Sequence, residues 1–226
     1  MKNISVIGLG SMGYGIAQSL IRSGYNVYGQ DKNTVQQKKL IEEGGLDAEI
    51  PFGDLDAVII VVLNEAQTRD IIFGEEGIAE KLKKHTLVIV CTTVSPNFAK
   101  EMATACENKE LLYLDAPISG GSIKSSQGKL SYMVSGSKNA LIAAKPILDS
   151  TSETVFEFGE VVGSGSAMKA VNQMLAGVHI AAMAEAITFG ITQGIEPERF
   201  LEVISKCAGS SWMLENRAPH IIDGDY

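Results

Sequence analysis

A glycine-rich turn near the N-terminus constrains the fold of this chain more than any other feature. The segment Gly8–Gly13 has the sequence GLGSMG and lies between a β-branched run, Ile4–Ile7, and a stretch with helical spacing, Met12–Ile21. In a strand–turn–helix unit the first glycine allows the tight turn, the second lets a pyrophosphate approach the main chain, and the third lets the helix pack closely on the strand. The helix N-terminus then presents N–H groups to the anion. The position predicts a dinucleotide-binding turn, although a plain glycine turn would share the sequence. The residues predicted to bind the dinucleotide here are Gly8, Leu9, Gly10, Ser11, Met12 and Gly13.

An acidic residue follows at the end of the second predicted strand, Val27–Asp31. The carboxylate of Asp31 can accept hydrogen bonds from both ribose hydroxyls of NAD, and its charge would repel the 2'-phosphate of NADP. We therefore predict NAD as the cofactor. The neighbouring Lys32 leaves NADP open, and a loop cap before Thr34 is the alternative structural role of Asp31.

Strand-like runs alternate with helical stretches from the N-terminus to about Gly163. Alternation of this kind predicts a parallel, doubly wound sheet. We therefore predict an α/β fold with a Rossmann-type NAD-binding domain over residues 1–163. The predicted strands are Ile4–Ile7, Val27–Asp31, Ala57–Val62, Leu87–Thr92, Leu111–Asp115, Tyr132–Ser135 and Thr154–Phe158.

The pattern changes after Gly163, and residues 164–226 are predicted to form a second, all-α domain. No proline interrupts Ser166–Gln193, which is rich in alanine and methionine and predicts one long helix. A second helix is predicted to begin after Glu196, because Pro197 suits a first helical turn. With at most three helices, this domain must pack its apolar faces on a long helix, a partner subunit or further chain.

Composition favours a small-molecule partner. The formal net charge of -8 offers no basic surface for a nucleic acid or an anionic membrane. The three cysteines have no CxxC spacing, so we expect neither a disulfide framework nor a metal site. The N-terminus lacks the apolar core and cleavage site of a signal peptide, so a cytoplasmic location is expected.

Four further stretches resemble the β-hydroxyacid dehydrogenases, the family of 3-hydroxyisobutyrate dehydrogenase. They are Val61–Asn64, Cys91–Pro96, Asp115–Gly121, which reads DAPISGG, and Lys169 on the long helix. The resemblance implies an NAD-dependent enzyme that oxidises a hydroxyl of a small hydroxy acid, and a homo-oligomer, dimer or tetramer, formed through the long helix. Members carry further helices, so we expect the helical domain to be incomplete here.

Three more segments, Leu175–Ala182, Ser211–Arg217 and Asp223–Tyr226, are similar to a branch of this family that acts on a four-carbon sugar acid. Two alternatives within the family remain open, a 3-hydroxyisobutyrate-type enzyme and a short-chain semialdehyde reductase. The alternative of another class is a dinucleotide-binding module without turnover.

The resemblance also implies roles for single residues at predicted strand ends, where ligands gather in open α/β sheets. It places Leu63, Asn64 and Thr93 beside the cofactor. It assigns the substrate carboxylate to Ser119, Gly120 and Gly121, where glycines let main-chain N–H groups converge on an anion. Purely structural roles are the alternatives: Leu63 as a core residue, Thr93 at a helix start, and Ser119–Gly121 as a loop that needs positive φ.

Lys169 resembles the family's catalytic lysine. Hydride leaves a carbinol carbon as its hydroxyl loses a proton, so a positioned group must take that proton. A desolvated lysine beside a cofactor can do so, because desolvation lowers its pKa. The structural alternative is that Lys169 is a solvated surface charge. The family commonly has asparagine four residues later, whereas this chain has Gln173 there, with Asn172 one position earlier, and both are candidate substrate contacts.

Overall fold

The computed structural model describes residues 2–47 and 49–225, so Tyr226, the last residue of the Asp223–Tyr226 segment, lies outside them. The strands in these residues are β1 (Asn3–Ile7), β2 (Asn26–Gln30), β3 (Ala57–Ile60), β4 (Leu87–Val90), β5 (Leu112–Asp115), β6 (Ile118–Ser119), β7 (Leu130–Gly136) and β8 (Ser152–Glu157). The helices are α1 (Gly13–Arg22), α2 (Thr34–Glu42), α3 (Glu65–Phe73), α4 (Pro96–Glu107), α5 (Gly121–Ser126), α6 (Lys138–Thr151), α7 (Ser164–Thr192), α8 (Pro197–Ile204) and α9 (Trp212–Asp223).

The strands form one mixed sheet that is mostly parallel. Its order is β2-β1-β3-β4-β5-β7, with β6 beside β7 on the same side as β5 and β8 paired to β7. The strands from β2 to β5 are parallel, which confirms the predicted Rossmann-type sheet. Strand β7 differs, because it runs antiparallel to β5 and β6. Only the short helix α5 separates β6 from β7, whereas a parallel crossover needs roughly a dozen residues or more.

Helices cover both faces of this sheet, as a parallel sheet requires. Strands β3 and β4 are buried at every position and consist almost entirely of β-branched residues. One apolar cluster joins a face of the sheet to α1 and α6, through Ile16 and Leu148 for example. The other joins the opposite face to α3 and α4, through Ile72 and Phe98. This scaffold carries the loops that follow the strands.

The contacts divide the chain into two units, Met1–Lys169 and Ala170–Tyr226. The predicted domain boundary after Gly163 stays a prediction. In the second unit, residues of α7, α8 and α9 form a small apolar cluster that includes Met183, Phe200 and Leu214. The predicted long helix Ser166–Gln193 corresponds to α7, and the helix predicted after Glu196 corresponds to α8.

Helix α7 is apolar around most of its circumference. Among the residues that the structure describes, it is the one helix long and apolar enough to cross a membrane by length and composition. That is weak evidence for a membrane span, because the core helix of a soluble protein passes the same test. In the chain by itself, only 17% of the most apolar 18-residue stretch of α7 is buried. A large apolar surface of the helix is therefore in contact with solvent.

Candidate active site

The glycine turn joins β1 to α1 with little space for side chains. Gly8 has a φ of +96°, and a Cβ there would collide with the main-chain oxygen of Val61. A Cβ at Gly13 would collide with the carbonyl oxygen of Gly8, so α1 begins in direct contact with the turn. By contrast, no atom of the described chain lies within 4 Å of a Cβ added at Gly10. The main chain is therefore open to a ligand at the middle glycine.

Asp31 is tied to this turn by its carboxylate. One oxygen, Oδ2, accepts a hydrogen bond from the main-chain N–H of Leu9 at 2.6 Å, and the other, Oδ1, accepts one from Asn33 at 2.7 Å. The cap of α2 is Asn33, whose side chain accepts a hydrogen bond from the N–H of Val35. Since each carboxylate oxygen has about two acceptor sites, both oxygens of Asp31 can still accept a ribose hydroxyl.

A cleft of about 460 Å³ adjoins the turn and Asp31. It lies between the glycine turn, the outer face of α1, the start of α2 and the short helix α5. Of the predicted dinucleotide residues, it brings together Leu9, Gly10, Ser11 and Asp31, while the other predicted residues lie outside its lining. The remaining lining residues are Tyr14, Gly15, Gln18, Asn33, Gln36, Ser122, Ile123 and Ser126.

Sequence reasoning missed the lining residues of α1, although their spacing carries a signal. Tyr14, Gly15 and Gln18 lie three, four and seven residues after the predicted Ser11, which is the spacing of one helix face. The lining residues of α5 reach the cleft because α5 packs on α1, a contact between distant segments that no local spacing indicates. Ser125 Oγ donates to the carbonyl oxygen of Met12 at 2.5 Å, and Ser19 Oγ donates to the carbonyl oxygen of Ser125 at 3.2 Å.

The loops after β3 and β4 lie side by side at the carboxyl edge of the sheet. Leu63 is 86% exposed, so the structural alternative of a core leucine does not apply. Asn64 caps α3, with its side chain accepting from the N–H of Gln67 at 2.9 Å, which leaves its amide NH2 for a ligand. Thr93 is exposed, and the cap of α4 is Ser95. The loops are joined by a hydrogen bond from Ser95 N–H to the Glu65 carboxylate at 2.7 Å.

The predicted carboxylate-binding loop joins β6 to α5. Strand β6 ends at Ser119, and φ is +137° at Gly120 and +73° at Gly121. Positive φ alone accounts for both glycines, so the structural alternative, a loop that needs positive φ, also fits these two residues. In addition, a Cβ added at Gly121 would meet no atom of the described residues within 4 Å, so the main chain is open to solvent there.

Lys169 is buried in the second turn of α7, with 8% of its surface exposed. Burial lowers the pKa of its ammonium group, because desolvation disfavours the charged form. Within residues 2–47 and 49–225, none of the ion pairs includes Lys169. The ammonium group of Lys169 is therefore partly desolvated, unlike that of a solvated surface lysine.

Asn172 and Gln173 belong to the second unit, three and four residues after Lys169 on the same helix. Their side chains meet, with Asn172 Nδ2 donating to Gln173 Oε1 at 3.3 Å. Helical spacing puts both on the face that carries Lys169. Among the described side chains, no group of three or more His, Cys, Asp or Glu residues could hold a metal ion.

Comparisons with known proteins agree with this architecture. The model of the NAD-binding domain of 6-phosphogluconate dehydrogenase matches residues 3–159, and that of the NAD-binding domain of NADP-dependent 3-hydroxyisobutyrate dehydrogenase matches residues 163–226. An L-threonate dehydrogenase from Haemophilus influenzae is 44% identical over 99% of this chain and 76% of its own length. One from Cupriavidus necator is 41% identical over 100% of this chain and 77% of its own length. A crystal structure of a 3-hydroxyisobutyrate dehydrogenase from Salmonella typhimurium, 40% identical, superposes with a TM-score of 0.94 and covers 100% of this chain and 80% of that one.

The fold, the glycine turn and these matches define a class, the oxidoreductases that bind a nicotinamide dinucleotide and act on CH–OH donors. More narrowly, the chain belongs to the 3-hydroxyisobutyrate dehydrogenase-like family of β-hydroxyacid dehydrogenases. The resemblance stated from the sequence is thereby confirmed, while the roles of its single residues stay predictions.

Proposed function

We propose that this hydroxyacid dehydrogenase oxidises a hydroxyl of L-threonate to the 2-oxo acid, with NAD as the cofactor. The observation that carries the chemistry is the burial of Lys169, which lowers its pKa. The substrate is supported by the relatives at 41% and 44% identity, which are named L-threonate dehydrogenases.

The residues of the chain fit a dinucleotide. The turn has no space for side chains at Gly8 and Gly13 and is open at Gly10, as a main-chain cradle for a pyrophosphate needs. Leu63, Asn64 and Thr93 would hold the nicotinamide end at the adjoining strand ends. When bound, the nicotinamide would supply the acceptor for the hydride that leaves the carbinol carbon.

In this proposal Ser119, Gly120 and Gly121 hold the substrate carboxylate by main-chain N–H groups and the serine hydroxyl. The neutral amine of Lys169 accepts the hydroxyl proton as the C–H bond breaks, and the ammonium returns that proton in the reverse reduction. Asn172 and Gln173 contact the remaining hydroxyls of the acid.

NAD is proposed over NADP because of Asp31. Its carboxylate is held beside the turn by the N–H groups of Leu9 and Asn33, where it would accept the ribose hydroxyls and repel a 2'-phosphate.

A panel of acids tests the proposal. L-threonate, 3-hydroxyisobutyrate, glycerate and their enantiomers are incubated with NAD and with NADP, and the absorbance of the reduced cofactor is followed. We expect the highest kcat/KM for L-threonate with NAD. A higher value for 3-hydroxyisobutyrate would favour the second candidate, which the named Salmonella structure supports. Dinucleotide binding without turnover of any acid would favour the non-catalytic module.

A further inference from the structure

The most completely buried charge that the proposed chemistry does not use is Asp115, at the end of β5. Its residue exposure is 0%. The oxygen Oδ2 accepts hydrogen bonds from Ser135 Oγ at 2.9 Å and from the main-chain N–H groups of Gly163 at 3.2 Å and Ser166 at 2.9 Å. The oxygen Oδ1 accepts one from Ser166 Oγ at 2.6 Å. A buried carboxylate is costly unless it is paired or well hydrogen-bonded, and this one is bonded on both oxygens.

The donors to Asp115 are concentrated at the start of α7. The N–H of Gly165 donates to Ser135 Oγ at 3.1 Å, so β5 and β7 together satisfy three N–H groups at Gly163, Gly165 and Ser166. These groups have no partner inside a helix, and the helix dipole adds attraction for an anion. Bonds to a charged acceptor are also stronger and shorter than neutral ones. The first turn of α7 is therefore fixed to the end of the sheet by the Asp115 carboxylate and the Ser135 hydroxyl.

Lys169 follows Ser166 by three residues, so the two lie on the same face of α7. Helical side chains lean toward the N-terminus, so the stem of Lys169 is expected to lie over the turn that Asp115 holds. A displacement of about 1 Å in a reacting group can cost roughly a hundredfold in rate. A shift of this turn would therefore be expected to move the amine of Lys169.

We propose that Asp115 is a positioning residue for the reaction, acting on Lys169 through Ser166. The proposal rests on the proposed function, since it assigns Lys169 the proton transfer. The competing role is a helix cap that stabilises the fold and leaves the rate alone.

A double-mutant cycle separates the two roles. Ser166→Ala removes the hydroxyl contact to Oδ1 but keeps the carboxylate and the helix, and Ser164→Ala is the matched control. Within the described residues the Ser164 side chain makes no hydrogen bond, and its main-chain N–H donates to the carbonyl oxygen of Val161. We expect Ser166→Ala to lower kcat about tenfold with Lys169 present, and less than about twofold in the Lys169→Ala background, because coupled residues are not additive. Equal losses in both backgrounds would overturn the proposal.

A second measurement needs no turnover. Lysine labelling by reductive methylation, followed residue by residue with mass spectrometry, reports how accessible Lys169 is. We expect several-fold faster labelling of Lys169 in Ser166→Ala than in Ser164→Ala, with exposed Lys138 as the internal reference. Equal rates at Lys169 would overturn the role of Asp115. Asp115→Asn is a further variant for the same labelling measurement. It replaces one carboxylate oxygen by an NH2 group, which would face the N–H and O–H donors that now bind Asp115.

The two proposals can fail separately. If Lys169→Ala keeps full activity, the proposed function is wrong about the base. If that variant is inactive while Ser166→Ala behaves like Ser164→Ala in both measurements, only the role of Asp115 is wrong.

Discussion

At the scale of single residues, Lys169 is the side chain whose surroundings bear most directly on chemistry. Replacing it with Ala removes an interaction made mainly in the transition state, so kcat and kcat/KM should both fall, by roughly a hundredfold to ten-thousandfold. NAD affinity should change little. Arg should not restore the rate, because a guanidinium cannot accept the hydroxyl proton.

The control for Lys169 is Lys138→Ala, at an exposed lysine in the first turn of α6. Its rate should stay within about twofold of the original, since exposed charges contribute little. Near-normal turnover of Lys169→Arg would reduce Lys169 to a carboxylate anchor.

The pH dependence follows from the same side chain. Burial lowers the pKa of Lys169, so its neutral, proton-accepting form is reached at lower pH than in an ordinary lysine. For oxidation, kcat/KM should rise with pH through that pKa, with a midpoint below the usual value of about 10.4. For reduction, which needs the ammonium, the rate should fall as pH rises through it. Steady-state rates across a pH series in both directions check this, and an oxidation profile that is flat would contradict it.

Asp31 decides cofactor choice in the same local way. Asp31→Ser removes the ribose acceptor and the charge that repels a 2'-phosphate, so the ratio of the NADP and NAD dissociation constants should fall roughly tenfold or more. The ratio is the informative quantity, because loss of the Leu9 contact weakens the turn for both cofactors. Titration calorimetry with both cofactors measures it, and Asp54→Ser, at an exposed aspartate, is the control. A native chain that prefers NADP would show that Asp31 is misassigned.

At the scale of elements, the contact between α1 and α5 connects the dinucleotide turn with the proposed carboxylate loop. It depends on Gly15, where a Cβ would lie 2.5 Å from Ser126 N and 2.6 Å from Ser125 Oγ. Arg22 also donates to the carbonyl oxygen of Ser126. We therefore expect the positions of the two loops to be coupled through this helix pair.

Two glycine variants separate folding from binding at this contact. Gly15→Ala should force α1 and α5 apart and lower stability by about 1–3 kcal/mol, because overpacking strains a close contact. Gly10→Ala meets no described atom, so it should keep the melting temperature but weaken NAD binding by entering the open cradle. Thermal unfolding and NAD titration of both variants give the comparison. A stable Gly15→Ala chain with normal NAD affinity would contradict the constraint.

At the scale of the whole molecule, the exposed apolar surface of α7 is the main feature that the described residues do not cover. Residues such as Met174, Val178 and Phe189 are exposed by 59% to 67%, and apolar surface of this extent on one helix is typical of an interface. We expect association through α7 into a dimer or a larger homo-oligomer.

Analytical ultracentrifugation of Met174→Glu tests this expectation. A charge at Met174, which is 63% exposed, should weaken association at least tenfold, because burying an unpaired charge is costly. Ile142→Glu is the matched control, since Ile142 is also 63% exposed but lies on α6. A native chain that sediments as a monomer would contradict the expectation, and one that partitions into lipid vesicles would point to a membrane instead.

The sequence alone determined the features that depend on neighbouring residues. The turn between β1 and α1, the placement of Asp31 after β2 and the long helix α7 follow from local spacing and propensity, so they could be predicted. Contacts between distant segments could not, because no local pattern encodes them. The antiparallel β7, the docking of Ser125 on Met12 and the hydrogen bonds from Ser166 to Asp115 join positions far apart in the chain. Only the tertiary structure decided these, because burial and hydrogen-bond partners exist once the sheet has brought the segments together.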